Sequence, residues 1–343
     1  MDMHRCLFCE KDYERLSNEH VFPAALGGNL ELRDGVCTDC NNGFSKFETS
    51  LARELVPIRL LLKIPDRYGD VPAAEAVAKT KDGEYKAKAC ADGEVLLKPI
   101  VTVMTREDGS KEIRYQFATD KQLEQLKRAV AEKKLQLLES ETRPGEQAEL
   151  EVAGDLKVIG SPDGLRTAAK IAYIGLAFCG GSKFAASDAF AKVRTFIESG
   201  SGASPARLFV HETFLNAVEM GPHQHALILA GRHDKHRVDA IVRLFGGLCY
   251  FVTLSDEYGG ADFVHTLVCD AQRGELNGML FSVVEAELLQ TEDVRTSGDT
   301  IWDNLPATGQ WFVNFLESKI RYFLAQEHAK GSEAGANVIE RNN

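Results

Sequence analysis

The stretch CLFCEKDYERLSNEHVFPAALGGNLELRDGVCTDCNN, residues 6–42, decides the fold of the N-terminal region. It opens and closes on two CxxC knuckles, Cys6-Leu-Phe-Cys9 and Cys37-Thr-Asp-Cys40. Four thiolates in two such pairs suit a tetrahedral zinc ion, and four protein ligands leave no position for water, so the ion would be structural. Residues 1–50 are dense in Cys, Gly and Asn and poor in apolar periodicity. A unit of that size buries too little surface to fold unaided and needs a staple. A disulfide is the poorer reading for a reducing compartment. A zinc ribbon with no catalytic role is the rival use of the same four ligands.

Between the knuckles stands Ser17-Asn18-Glu19-His20-Val21-Phe22-Pro23-Ala24-Ala25-Leu26-Gly27-Gly28, and Asn41-Asn42-Gly43-Phe44 follows the last cysteine. Over residues 4–48 this combination resembles the HNH endonuclease superfamily, the ββα-metal finger, in the branch written CxxC…EHxxPxxLGG…CxxCN. The resemblance implies hydrolysis of phosphodiester bonds, which needs an activated water and a means of neutralising charge on the phosphate. It makes His20 the general base, a task suited to a side chain that titrates near working pH. It makes Glu19 and Asn41 ligands of a second cation. Their hard oxygens suit Mg2+ or Mn2+. DNA is the substrate it implies, with RNA left open. The chain departs from the family at the central Asn of the motif, whose place falls near Leu32. Asp34 or Asn29 would then orient His20, and Asp34 is the preferred candidate.

The remainder sets limits on these expectations. The chain has 343 residues, 44% of them hydrophobic, enough for two domains. No apolar run is long enough to span a membrane, and the opening MDMHRCLFCE has no apolar core of a signal peptide. A cytoplasmic protein is expected. The net charge of −11 is unusual for a nucleic-acid enzyme, because affinity for the backbone comes from Lys and Arg. Basic residues must then act locally. Lys46, after the second knuckle, is a candidate phosphate contact, as are Arg166 and Lys170, one helical turn apart, with Arg194 on the next helix. For each, a solvated or salt-bridged face is the plainer reading. His211, His223, His225, His233 and His236 have spacings that metals use, but His223 and His225 begin a strand and His233 and His236 sit in a polar turn, so solvated histidines are the plainer reading. Cys90, Cys179, Cys249 and Cys269 stand alone in apolar contexts and read as small buried hydrophobes. The Gly-Gly pairs at 180–181, 246–247 and 259–260 lack the following Lys-Ser/Thr of a phosphate loop.

The periodicities predict an α+β protein with a mostly antiparallel sheet. Residues 1–50 form the finger and 51–73 a connector whose helix breaks near Pro57. A larger domain of recognition, regulation or oligomerisation covers 74–328, and a disordered tail 329–343. Turn signals at 81–83, 91–93 and 107–109 mark hairpins over 74–118. Helices are expected at 120–139, 164–179, 185–198 and 309–327. Strands are expected at 225–231, 237–245, 247–254, 262–270 and 278–289. A single HNH site cuts one strand, so cutting both implies a homodimer or two sequential nicks. Three readings stand side by side. The first is a metal-dependent endonuclease acting on DNA. The second is a zinc-dependent nucleic-acid-binding module whose nuclease has decayed. The third is a ligand-gated nuclease effector, suggested by analogy of layout with bacterial anti-phage systems.

Overall fold

The computed structural model describes residues 3–66, 68–80, 83–92, 95–98, 100–105, 111–116, 124, 127, 128, 149–152, 160–209 and 220–273. The chain divides into two compact units. One holds residues 1–55, 64–69 and 155–343, and the other 56–63 and 70–154.

The first unit begins with the finger. Strands β1 (His4–Arg5) and β2 (Asp12–Tyr13) pair around the first knuckle. Strands β3 (Ser17–His20) and β4 (Glu31–Val36) pair antiparallel, with Glu19 opposite Leu32 and His20 opposite Glu31. A 3-10 turn at Ala24–Leu26 joins them and closes on Gly27, whose φ of 88° is a left-handed conformation that glycine adopts without strain. Helix α1 (Thr38–Glu54) starts inside the second knuckle, and the sulfur of Cys37 caps it by accepting the Cys40 amide. Phe44, Phe47 and Leu51 recur at helical spacing and are its buried stripe.

The expected break near Pro57 is present. Helix α1 stops at Glu54, and a short α2 (Val56–Leu61) follows with Pro57 in its first turn, where a missing amide proton costs nothing. Strands β5 (Ala74–Thr80), β6 (Gly83–Ala89) and β7 (Val95–Leu97) then form consecutive hairpins, as the turn signals predict. Strands β8 (Ile100–Thr105) and β9 (Lys111–Gln116) pair with each other, and β10 (Glu149–Val152) adds to the free edge of β5. The core of this second unit is made largely of alanines: Ala74, Ala76, Ala78, Ala87 and Ala89, with Leu60.

The chain returns to the first unit with α3 (Pro162–Gly180). Ser161 caps it, accepting the Gly164 amide, and Pro162 opens it. Every residue from Gly164 to Ala177 is buried except Arg166. A helix apolar nearly all round must be covered on more than one side, and α3 is. It packs against α1 of the finger and against the five-stranded sheet that follows. The stretch expected as one helix at 185–198 is instead α4 (Ser182–Ala185), a 3-10 turn at Asp188–Phe190, and α5 (Ala191–Ser199). The sheet contains β11 (Ala206–Phe209), β12 (Gln224–Arg232), β13 (Arg237–Leu244), β14 (Leu248–Ser255) and β15 (Phe263–Asp270). Its order is β11-β14-β13-β12-β15, antiparallel throughout.

The protein is α+β, and every described ladder is antiparallel. Its units do not follow the expected divisions at 50 and 74. The finger and the described residues from 160 onward fall in one unit, in which α1 packs against α3. The strand expected at 278–289, the helix at 309–327, the tail at 329–343, His211 and most of the helix at 120–139 lie outside the described residues. Of the four isolated cysteines, Cys249 and Cys269 are buried, while Cys90 and Cys179 are partly exposed.

Candidate hydrolytic site and metal centre

The two knuckles meet. The sulfurs of Cys6, Cys9, Cys37 and Cys40 all lie within 4.8 Å of one another, and those of Cys9 and Cys37 are 3.8 Å apart. Sulfurs about 2.3 Å from one tetrahedral zinc are separated by about 3.8 Å, so this donor set fits such an ion. Backbone amides support it, with Cys37 N–H donating to Cys6 Sγ at 3.3 Å and Cys40 N–H to Cys37 Sγ at 3.5 Å. Burial opposes ionisation of Cys37. The Tyr13 hydroxyl, the Cys40 amide and the neighbouring thiols outweigh it and bring this thiol down to about 7. The four cysteines are therefore a group able to hold a metal such as zinc. Among the described residues no other group of three or more His, Cys, Asp or Glu gathers in this way.

The hairpin and α1 bring His20 and Asn41 to one edge, through Glu31 and Asn18. His20 ends β3 with about a third of its side chain exposed, and its Nε2 lies 3.4 Å from Glu31 Oε1. The other oxygen of Glu31 accepts from Asn18 Nδ2 at 2.9 Å. Asn41, in the first turn of α1, donates through Nδ2 to the Asn18 carbonyl at 3.2 Å and to Ser17 Oγ at 3.3 Å. These bonds engage the amide nitrogen, and the amide oxygen is an atom that could hold a cation.

The carboxylate beside His20 is thus Glu31 and not Asp34. The β3–β4 register shifts between Ser17 and Glu19, and Asp34 falls in that irregular stretch, exposed and with φ of 50°. Asn29, the other candidate, accepts from Cys269 Sγ at 3.5 Å. Sequence reasoning passed over Glu31, although a signal for it existed. A hairpin folded symmetrically about Ala24–Gly27 sets residue 20 against residue 31.

Glu19 points to the other side of β3, as alternation along a strand requires. It is only 3% exposed, and its Oε1 accepts from Lys170 Nζ of α3. The same ammonium donates to Glu48 Oε1 of α1 and lies 5.5 Å from the centre of the Phe44 ring. Burial raises the Glu19 carboxyl above the ordinary range; Lys170 opposes the shift and Glu48 adds to it. Burial works against the charge of Lys170, but Glu48 and Glu19 together hold its ammonium above the usual value. Glu19 Oε2 is buried with no hydrogen-bond partner among the described residues.

The expected strip of phosphate-binding cations does not form. Lys170 is 1% exposed and held by two carboxylates. Arg166 lies over the Phe47 ring at 4.6 Å and donates to the carbonyls of Ile197 and Glu198 at the end of α5. Arg194 donates to the Ala185 and Ser187 carbonyls and pairs with Glu10 at 2.7 Å. All three cross-link the unit from within. Lys46 remains an exposed residue of α1.

Nor is His225 a solvated histidine. It is wholly buried, its Nδ1 accepts from the Phe245 amide at 3.2 Å, and its Nε2 lies 2.9 Å from the Leu26 carbonyl. An accepting Nδ1 assigns the proton to Nε2, so the ring is a neutral bridge from the sheet to the turn of the finger. Burial pulls its pKa down to about 4. His233 and His236 do lie in the turn after β12. Each has its Nδ1 near a backbone carbonyl, that of Gly260 at 3.2 Å and that of Tyr258 at 3.3 Å.

None of the curated proteins and none of the solved structures compared with the chain matches it. Among the described residues, no helix is long and apolar enough to cross a membrane. A family model described as HNH endonuclease matches residues 6–56, from the first knuckle cysteine to the start of α2. This span contains both knuckles, the His20 hairpin and all of α1, and in it the chain is similar to the HNH endonucleases.

Proposed function

We propose that the finger is a metal-dependent endonuclease that hydrolyses phosphodiester bonds in DNA, with His20 as the general base. The observation that supports this most directly is the pairing of His20 with Glu31 beside Asn41 at one edge of the finger. A proton on Nε2 directed at Glu31 leaves the accepting role to Nδ1, which takes a proton from water. Glu31, itself held by Asn18, keeps the ring in that tautomer and orientation. The Asn41 Oδ1 and the Glu19 Oε2 are the hard oxygen donors that would hold Mg2+ or Mn2+. The partnerless Oε2 fits that role. When bound, the cation supplies charge stabilisation at the phosphate. With an ammonium already on Oε1, Glu19 would hold it more loosely than a free carboxylate. The four cysteines would hold a separate zinc ion whose work is to keep the finger folded. Lys46 is the cation on α1 that we assign to a phosphate of the substrate.

Plasmid nicking by the full chain tests this reading. His20→Ala should lower the rate by about 10²–10⁴-fold, the usual worth of a positioned proton acceptor, with zinc content unchanged. Asn41→Ala should weaken the cation's hold and recover part of its activity at high Mn2+, which His20→Ala should not. Full activity in His20→Ala would remove the mechanism.

A further inference from the structure

Lys170 is the one buried ammonium among the described residues. It stands on α3, outside the segment similar to the HNH endonucleases. It joins two elements of that segment. Glu19 precedes His20 on β3, and Glu48 lies two turns after Asn41 on α1. A spacing of seven puts Asn41 and Glu48 on the same face of that helix. The face is tied to β3 twice, once through Asn41 to Ser17 and Asn18, and once through Glu48 and Lys170 to Glu19.

The charged groups facing the ammonium are Glu19 from β3 and Glu48 from α1. On α3 itself, Arg166 is committed to the carbonyls of Ile197 and Glu198, and on β4 Glu31 is committed to His20 and Asn18. Remove the ammonium, and two carboxylates are left together in a largely buried site, Glu19 fully covered and Glu48 partly so. They then repel, and β3 moves from α1.

We propose that Lys170 is a positioning residue of the hydrolytic site, an ammonium clamp that sets His20 on β3 against Asn41 on α1. The nuclease site is then incomplete without the body of the first unit, and whatever displaces α3 also displaces the base from the cation ligand. The inference rests on the roles given above to His20 and Asn41, but the clamp can be measured apart from them.

The test uses full-length Lys170→Met and the double variant Glu48→Gln, Lys170→Met, each compared with the wild type by melting temperature, zinc content and nicking rate. Lys170→Met leaves two carboxylates without the cation they share. It should lower the melting temperature and slow nicking by roughly 10–100-fold, the scale of a misplaced reacting group, with zinc content unchanged. The double variant loses the same lysine packing but no longer sets two carboxylates together. It should melt above Lys170→Met, while nicking remains slow because the tie between β3 and α1 is still missing. Equal melting of the two variants would reduce Lys170 to packing and overturn the clamp. Wild-type nicking by a stable double variant would show that the clamp does not position the site. If the wild type itself does not nick, the nuclease reading fails, and the difference in melting between the two variants still decides whether the clamp exists.

Discussion

The finger and the five-stranded sheet share one unit, yet they are held together by different forces. In the sheet, seven of the nine residues of β12 and seven of the eight of β13 are buried, so apolar burial carries that half. In the finger, β1 has no buried residue and β3 has one, the carboxylate Glu19. What organises the finger beyond its own buried Val21, Phe22, Leu26 and Val36 is a cluster of thiols, a ladder of side-chain hydrogen bonds and borrowed partners on α3, α5 and β12. Phe8 lies at 5.3 Å from Tyr173, Glu10 pairs with Arg194, Glu19 with Lys170, and the Leu26 carbonyl meets His225. The groups proposed for chemistry thus sit in the part least able to fold alone. Polar, partly exposed side chains are what hydrolysis requires, and they are what an apolar core cannot contain.

That contrast can be broken most forcefully at the knuckles. Binding of a structural zinc ion of this kind is worth about 10–16 kcal/mol in isolated fingers, and it is folding energy. Cys37→Ser should abolish bound zinc, as elemental analysis would show, and unfold the finger. Because Leu7 and Phe8 are buried on the finger and Phe8 meets Tyr173, loss of order should reach α3 and lower the melting temperature of the whole unit. A variant that keeps a normal melting curve without zinc would mean that the borrowed partners suffice.

The next effect in size falls on the seam between the halves. His225 is neutral in the fold with a pKa of about 4, against 6.5 for the free side chain. Between those values the unfolded chain binds the extra proton, so this residue contributes no penalty above pH 6.5 and destabilises progressively as pH falls toward 4. The full difference amounts to about 3 kcal/mol. Denaturant titrations at pH 7 and pH 4.5, compared with His225→Gln, should show a smaller acid loss in the variant. Equal acid sensitivity would locate the effect elsewhere.

The smallest effect belongs to the exposed edge. Glu31→Gln keeps the shape beside His20 and removes the charge. The two side chains are each about a third exposed, so the pair is worth an exposed ion pair's few tenths to 1 kcal/mol. Nicking should fall by roughly two- to fivefold, the rate equivalent of that energy. A loss as large as that of His20→Ala would mean that Glu31, and not His20, handles the proton.

Much of this arrangement was legible in the chain itself. Two CxxC pairs bring four sulfurs together because their spacing is local, and Glu-His before a Pro-to-Gly turn places His20 at a strand end. Short apolar runs bounded by turn residues in 224–270 mark four strands to within two residues, because that signal is written in neighbouring side chains. Tertiary structure alone decided which partner each polar group meets. Lys170 lies 151 residues from Glu19, and His225 lies 199 from Leu26. Read locally, a lysine on a helix is a solvated charge and a histidine at a strand end a surface group. Only the packing of α3 and the sheet on the finger removes their water, and a buried charge or imidazole must then find its partner across the fold.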